Sequence, residues 1–221
     1  MASHLDLEEQ EQLDQIKSFW AQWGNLITGV VTLVLVCFAA WNGWNYWQQR
    51  QATQAAVLFD TFEEASKQGD LALLTRSLSD LQDQFPRTTL TAQASLLAAK
   101  TFFDKDKPAE AEKPLEWVVE HASDKAYVAL ARLRLSALAI ERKDLAKARS
   151  LVDGKTAPTG FQPLFDDRMG DIALIEGKNE EAKTRYSSAY KGMDEATEYR
   201  RLIEVKLGTL GVDIASPEFK K

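Results

Sequence analysis

The chain has 221 residues, with 27 Lys plus Arg against 33 Asp plus Glu, for a formal charge of −6. That length holds one core and something more, since single cores run to about 100–200 residues, and 45% hydrophobic content excludes a wholly disordered chain. The acidic balance leaves no basic surplus to neutralise phosphates, one cysteine builds neither an intramolecular disulfide nor a thiolate zinc site, and two histidines offer little for metal or acid–base chemistry.

The acids are concentrated at the start. Residues 1–20 hold Asp6, Glu8, Glu9, Glu11 and Asp14 against Lys17, so the chain from Gln48 onward is close to neutral. Between Lys17 and Arg50 there is no charged residue, and Leu26 to Trp41 is apolar apart from two threonines and a glycine. Extended to Trp23 and Trp47, this stretch crosses a hydrocarbon core of about 30 Å as a helix. Trp20 and Trp23 mark one rim; Trp41, Trp44, Tyr46 and Trp47 mark the other, as expected of aromatic belts at a membrane interface. The leader is long and acidic, without a small-x-small site before Trp41, which reads as an uncleaved anchor rather than a signal peptide. Lys17 against Arg50 leaves orientation open by charge. Gly24, Thr28, Thr32, Ala39 and Gly43 share one face, a stripe that would admit a second membrane helix or simply reflect the small residues common in such spans.

From Ala52 onward no stretch alternates like a half-buried strand, and Ala, Leu, Glu, Lys and Arg dominate. Helices are predicted near 52–68, 71–85, 91–104, 108–121, 125–142, 144–152, 163–176, 179–191 and 195–209. Gly69, Asp106, Lys143 and Gly177 align as turns between helices, spaced 37, 37 and 34 residues apart. Seven residues before them stand Phe62, Ala99, Ser136 and Gly170; five after stand Leu74, Ala111, Ala148 and Ala182; nine after stand Leu78, Leu115, Val152 and Tyr186. Small residues at a helix crossing with bulky apolar ones beside them are what a tight hairpin requires. The final helix, with Tyr199, Leu202, Ile203, Val205 and Leu207, is expected to cap the last apolar face.

The period resembles tetratricopeptide repeats: Gly177 to Ala182, then Tyr186, Ala189 and Tyr190, match the second half of that repeat, and Pro86 falls at its closing proline. The 37-residue spacings and the insertion from Asp153 to Pro163 make the match degenerate. The whole layout is similar to the ancillary subunit of the SecYEG translocon, the YfgM-type family of bacterial inner-membrane proteins. That similarity rests on the acidic tail leading into Gln15 to Trp20, the anchor ending in Trp44-Asn45-Tyr46-Trp47, and repeats starting about eight residues later. The expected fold is all-α: a single transmembrane helix, then a superhelix of about four degenerate tetratricopeptide-like hairpins and a C-terminal capping helix. The expected organisation is an acidic cytoplasmic tail over 1–20, the anchor over 21–48, the repeat domain over 49–211 and a flexible tail over 212–221. The resemblance implies a cytoplasmic N-terminus, a periplasmic repeat domain, and association with the SecYEG translocon and a membrane-anchored periplasmic chaperone of the prolyl-isomerase type.

Stacked repeats bury their apolar faces only against one another, and their first helices line a groove suited to an extended chain or a helix. By family register Lys100, Arg134 and Arg168 are the groove positions that would pair with acids on a partner, although an ordinary solvated position or an intra-domain ion pair accounts for each more readily. Other chemistry is thin. Gly154-Lys155-Thr156 lacks the first glycine of a phosphate loop, where Arg149 stands, and no strand precedes it. His121 closes a helix, Asp166 and Asp167 open one, and Glu63-Glu64 and Glu180-Glu181 read as solvated faces. No catalytic, metal or cofactor site is expected. Two functions fit: a membrane-tethered module holding a chaperone or emerging secretory chains beside the translocon, or an anchored scaffold that self-assembles into homo-oligomers through its span.

Overall fold

Glycine, proline and aspartate punctuate the chain, and the computed structural model, which describes residues 7–216 and 219, turns the segments between them into helices. These are α1 (Leu7–Gln68), α2 (Leu71–Gln84), α3 (Thr89–Asp104), α4 (Pro108–His121), α5 (Lys125–Glu141), α6 (Leu145–Val152), α7 (Gln162–Ile175), α8 (Asn179–Gly192) and α9 (Tyr199–Thr209). Among the described residues there is no strand. The segment read as a separate helix over 52–68 is the last part of α1, and α9 begins at Tyr199 rather than at 195. Residues 1–6 of the acidic tail, and residues 217, 218, 220 and 221 of the expected C-terminal tail, lie outside the described residues.

The chain divides into two units, Met1–Gln51 and Ala52–Lys221. In the first, α1 carries Leu33, Val34, Phe38 and Trp41 exposed, at 60–68%. Among the described residues α1 contains the helix long and apolar enough to cross a membrane. Gly24 is the buried position of this segment, because the indole of Trp20 lies over it; a Cβ there would meet the ring at 3.2 Å.

The second unit is a stack of helical hairpins, with α3 packed on α4, α5 on α6 and α7 on α8, and with the end of α1 sharing one apolar cluster with α2. The local reason is a turn used four times. Gly69, Asp106, Lys143 and Gly177 all take the left-handed conformation, with φ of 73°, 58°, 62° and 75°. The next amides, of Asp70, Lys107, Asp144 and Lys178, donate to the carbonyls of Ala65, Phe102, Ala139 and Ala173 at 2.8–3.0 Å. This six-to-one bond closes the first helix of each pair. The residue that donates it is also the N-cap of the second helix, and Asp70 and Asp144 cap with their carboxylates. At Lys107 the following Pro108 starts α4, where a missing N–H does no harm.

Every member of the three aligned columns is buried. Ser136 meets the column opposite directly, its Oγ donating to the Ala148 carbonyl at 3.0 Å. Three apolar clusters follow from this register, centred on α1–α5, on α5–α7, and on α7–α9.

A fifth turn, not anticipated from the sequence, ends α9. Gly211 has φ 77°, and the Val212 amide donates to the Leu207 carbonyl at 3.1 Å. It stands 34 residues after Gly177, so α9 is the first helix of a fifth repeat whose second helix is missing from the described residues. Its column position seven before the turn is Glu204, exposed, where the earlier repeats have Phe62, Ala99, Ser136 and Gly170. Val212, Ile214 and Phe219 pack against the third cluster, with the Phe219 ring edge-on to Tyr190 at 5.6 Å.

Candidate binding surface

Lys100, Arg134 and Arg168 are first-helix residues, on α3, α5 and α7. Two of them come together. Lys100 and Arg134 line a cleft of about 300 Å³ with Ala99 and Phe103 from α3, Ala111 and Leu115 from α4, and Ala137, Leu138 and Glu141 from α5. The lining is apolar apart from Lys100, Arg134 and Glu141. The partners of the two bases are internal: Lys100 donates to Asp104 within α3, and Arg134 Nη1 donates to the Leu96 carbonyl at 2.9 Å, tying α5 to α3. Burial pulls the Arg134 guanidinium below its usual pKa. The Gln93 amide donates to the Tyr127 hydroxyl at 2.7 Å, a second bond between the same two helices.

Arg168 does not line this cleft. Its Nη1 lies 3.7 Å from Asp171 Oδ2, and its Nε is buried without a hydrogen-bond partner among the described residues. It borders a polar network that joins α7, α8 and α9. Lys206 donates to Asp167 at 2.7 Å and to Asp171 at 2.6 Å; Tyr199 donates to Asp167 at 2.7 Å, and Tyr186 to Asp171 at 2.8 Å. Burial, then hydrogen bonds to these carboxylates, push both phenols well above the usual tyrosine pKa. Sequence reasoning took Asp166 and Asp167 as helix-opening acids. In the fold Asp167 is buried and holds α9, while Asp166 accepts from Arg185 at 3.3 Å and from Ser188 at 3.1 Å on α8. Sequence separations of 19 to 39 residues hid these pairs; a carboxylate and a lysine one repeat apart were the signal that could have found them.

Second-helix ion pairs join the other repeats. Glu112 on α4 meets Arg142 at 2.9 Å and Lys147 at 3.5 Å, and Arg149 on α6 meets Glu176 at 2.7 Å and Glu181 at 2.9 Å. Glu181 is thus a pairing residue and not the solvated one expected. Hydrogen bonds from Lys178 and Arg149 hold the Glu176 carboxyl below its usual pKa. His121 stacks on Trp117 at 4.9 Å, with Nδ1 3.0 Å from the Trp117 carbonyl. Gly154 sits in the loop between α6 and α7, with φ 60°. The capping expectation for α9 is corrected in part: Ile203 and Leu207 are buried, but Leu202 and Val205 are exposed. Among the described residues no group of three or more His, Cys, Asp or Glu is arranged to hold a metal ion.

In the membrane stripe, Trp20 covers Gly24, while Thr28, Thr32, Ala39 and Gly43 are exposed, with nothing within 4 Å of a Cβ placed on Gly43.

Paired helices repeating in register, with left-handed turns between the two members of each pair, define a tetratricopeptide-like fold, and residues 17–212 match the tetratricopeptide repeat-like domain family. The chain is also 32% identical to the ancillary SecYEG translocon subunit of Neisseria gonorrhoeae, over 95% of this chain and 100% of that relative. The protein therefore belongs to the tetratricopeptide repeat-like family that includes the ancillary SecYEG translocon subunits.

Proposed function

We propose that the protein is a non-enzymatic ancillary subunit of the Sec translocon. In this reading α1 anchors it in the bacterial inner membrane with the acidic tail in the cytoplasm. The repeat domain stands in the periplasm and holds a membrane-anchored chaperone of the prolyl-isomerase type, emerging secretory chains, or both. The observation that carries the reading is similarity to a named translocon subunit along its entire length, anchor and repeats together. The cleft with Lys100, Arg134 and Glu141 in an otherwise apolar lining suits a partner segment that pairs apolar side chains with charged ones. Arg168, engaged with Asp171, would contribute only by exchanging that pair for a partner's carboxylate. Tethering supplies the mechanism: a shared membrane raises effective concentration, so weak contacts reach useful occupancy.

The test is a mild-detergent pull-down of the full-length protein from bacterial membranes, beside a form in which 26–47 is replaced by an unrelated transmembrane helix. Translocon subunits and a periplasmic chaperone are expected with the native chain. Partners that survive the replacement are held by the repeats, and those that vanish are held by the span. Recovery of the protein alone, with other membrane complexes intact, would refute the translocon reading.

The exposed run from Thr28 to Gly43 supports a second reading, a scaffold that self-assembles through its span. Gly43→Leu should then disrupt oligomers in membranes, whereas Gly24→Leu should act mainly by displacing the Trp20 ring. Unchanged oligomers in Gly43→Leu would count against the scaffold.

A further inference from the structure

A single register position leaves two charges of the cleft without partners. Six residues before the four hairpin turns stand Glu63, Lys100, Ala137 and Asp171. In three repeats that residue pairs along its own helix: Glu63 with Lys67 at 3.1 Å, Lys100 with Asp104, and Asp171 with Arg168 at 3.7 Å. The partners come from two further columns, two and nine residues before the turn. In the third repeat those columns hold Glu141 and Arg134, and the alanine between them can pair with neither. Among the described residues Arg134 has its bond to the Leu96 carbonyl but no carboxylate, and Glu141 has no base. Arg134, Ala137 and Glu141 all line the cleft, so the space that a charged side chain at 137 would enter is open to a partner.

The neighbouring charges are otherwise engaged. Lys100 pairs with Asp104, Arg142 and Lys147 with Glu112, and Lys107 with Glu110 at 4.0 Å. Lys105 reaches back to Gly69 in the preceding turn, and Asp106 and Lys143 lie outside the lining. The cleft therefore asks for an acid at Arg134 and a base at Glu141. The two are seven residues apart on α5, two helical turns or about 10.5 Å. Side chains on one face of an extended chain recur at about 6.6 Å, which puts its charges about 7 or 13 Å apart. A partner helix has the period of α5 itself. Its apolar side chains midway between the charges would meet the apolar lining, where Phe103 is 45% exposed.

We propose that the cleft between Arg134 and Glu141 receives a helical segment of a partner protein that carries an acid and a base seven residues apart, with apolar side chains at the third and fourth places between them. This rests on the reading of the repeats as a partner-holding module and names the segment held.

The full-length chain in phosphatidylcholine nanodiscs is titrated into fluorescein-labelled helices of about 18 residues built from Ala and Gln, with empty nanodiscs as the blank. Each helix carries two adjacent leucines midway in a seven-residue interval whose ends are Glu and Lys, both Glu, both Lys or both Gln. Fluorescence anisotropy at low salt should show the Glu/Lys helix binding about fivefold or more tightly than the other three, a margin that shrinks as salt rises. Ala137→Asp gives Arg134 the acid that Arg168 has, and should move the preference to the Lys/Lys helix. Ala137→Lys gives Glu141 the base that Asp104 has, and should move it to the Glu/Glu helix. Ala137 is only partly buried, so unchanged helical circular dichroism is expected of both variants. Equal binding of the four helices, or an unshifted preference in either folded variant, overturns the site. A proline after the second leucine breaks the peptide helix and should remove the preference; if the preference survives, the occupant is not a helix and the proposal fails. Recovery of translocon subunits is measured on the same preparations. Translocon recovery without a Glu/Lys preference defeats the site alone, while the preference without translocon recovery defeats the translocon reading alone.

Discussion

Gly170 and Tyr186 face each other across the α7–α8 hairpin so closely that a Cβ on the glycine would stand 2.5 Å from Cε1 of the ring. Tyr186 cannot retreat, because it is buried among the third cluster and its hydroxyl is bonded to Asp171. Gly170→Ala should therefore destabilise the protein by about 1–3 kcal/mol, the usual range for overpacking. Thermal unfolding followed by circular dichroism measures it. Tyr186→Leu placed in the Gly170→Ala background should restore part of the loss by making room, although it also removes the bond to Asp171. A Gly170→Ala protein that melts with the wild type would show that the hairpin is looser than this contact requires.

The two non-glycine turns invite the opposite experiment. Asp106 and Lys143 hold positive φ with a Cβ in place, while their counterparts Gly69 and Gly177 meet no such penalty. Asp106→Gly and Lys143→Gly should each stabilise by about 0.5–1 kcal/mol, the left-handed strain relieved less the extra entropy of glycine in the unfolded chain. Denaturant titration should show a higher midpoint at unchanged slope. A drop in midpoint would mean that side-chain contacts of Asp106 or Lys143 outweigh the strain.

Lys206 is the cation for two carboxylates, one of them on Asp167, which is 2% exposed. Lys206→Met leaves a buried charge without its counter-ion and should destabilise by about 3 kcal/mol. The loss should be local, with hydrogen exchange accelerating first in α9 while α3–α4 stays protected. Uniform acceleration across the stack would show that α9 and the earlier repeats unfold as one.

Two tyrosines give an alkaline signature. The folded pKa values of Tyr186 and Tyr199 lie above the ordinary phenol value, so their contribution is fully present below that value and is lost as pH rises through the folded ones. At about pH 11 an ordinary tyrosine is largely ionised, while these two should remain neutral in the native protein. Tyr199→Phe should then leave the tyrosinate absorbance at that pH unchanged. A smaller signal in the variant would mean that the phenol titrates normally.

The acid side rests on Glu176, whose folded pKa is depressed by hydrogen bonds from Lys178 and Arg149. Its contribution is present above the ordinary carboxylate pKa and fades as pH falls through the lower folded value. Glu176→Gln should lower stability at neutral pH and flatten the acid limb of the stability–pH curve. An acid limb identical to wild type would remove Glu176 from the titration.

Much of the fold could be read because a hairpin stack encodes itself locally. Each turn residue, its six-to-one bond and its buried columns fall within about twenty residues, so spacing alone put Gly69, Asp106, Lys143 and Gly177 in register, and all four adopt the same backbone turn. Gly211 escaped because its flanks break the pattern: Glu204 replaces the small or apolar column residue, and no second helix follows in the described chain. The candidate surface was legible by half. Register brought Lys100 and Arg134 to one cleft, but their bonds to Asp104 and Leu96 depend on rotamers that no spacing reveals. The α7–α9 network and the Leu202–Val205 face required α9 to be recognised as a repeat, and hydrophobicity alone made all of its apolar residues look buried.

Glu204 also sets a cost on lengthening the stack. A hairpin stack is a one-dimensional assembly in which every added unit offers the next the same apolar seat, and nothing in that logic limits its length. By putting a carboxylate where the other first helices carry Phe62, Ala99, Ser136 or Gly170, α9 accepts the preceding hairpin on one side and water on the other. Further hairpins, from this chain or from a neighbour, would have to strip that charge of water to dock.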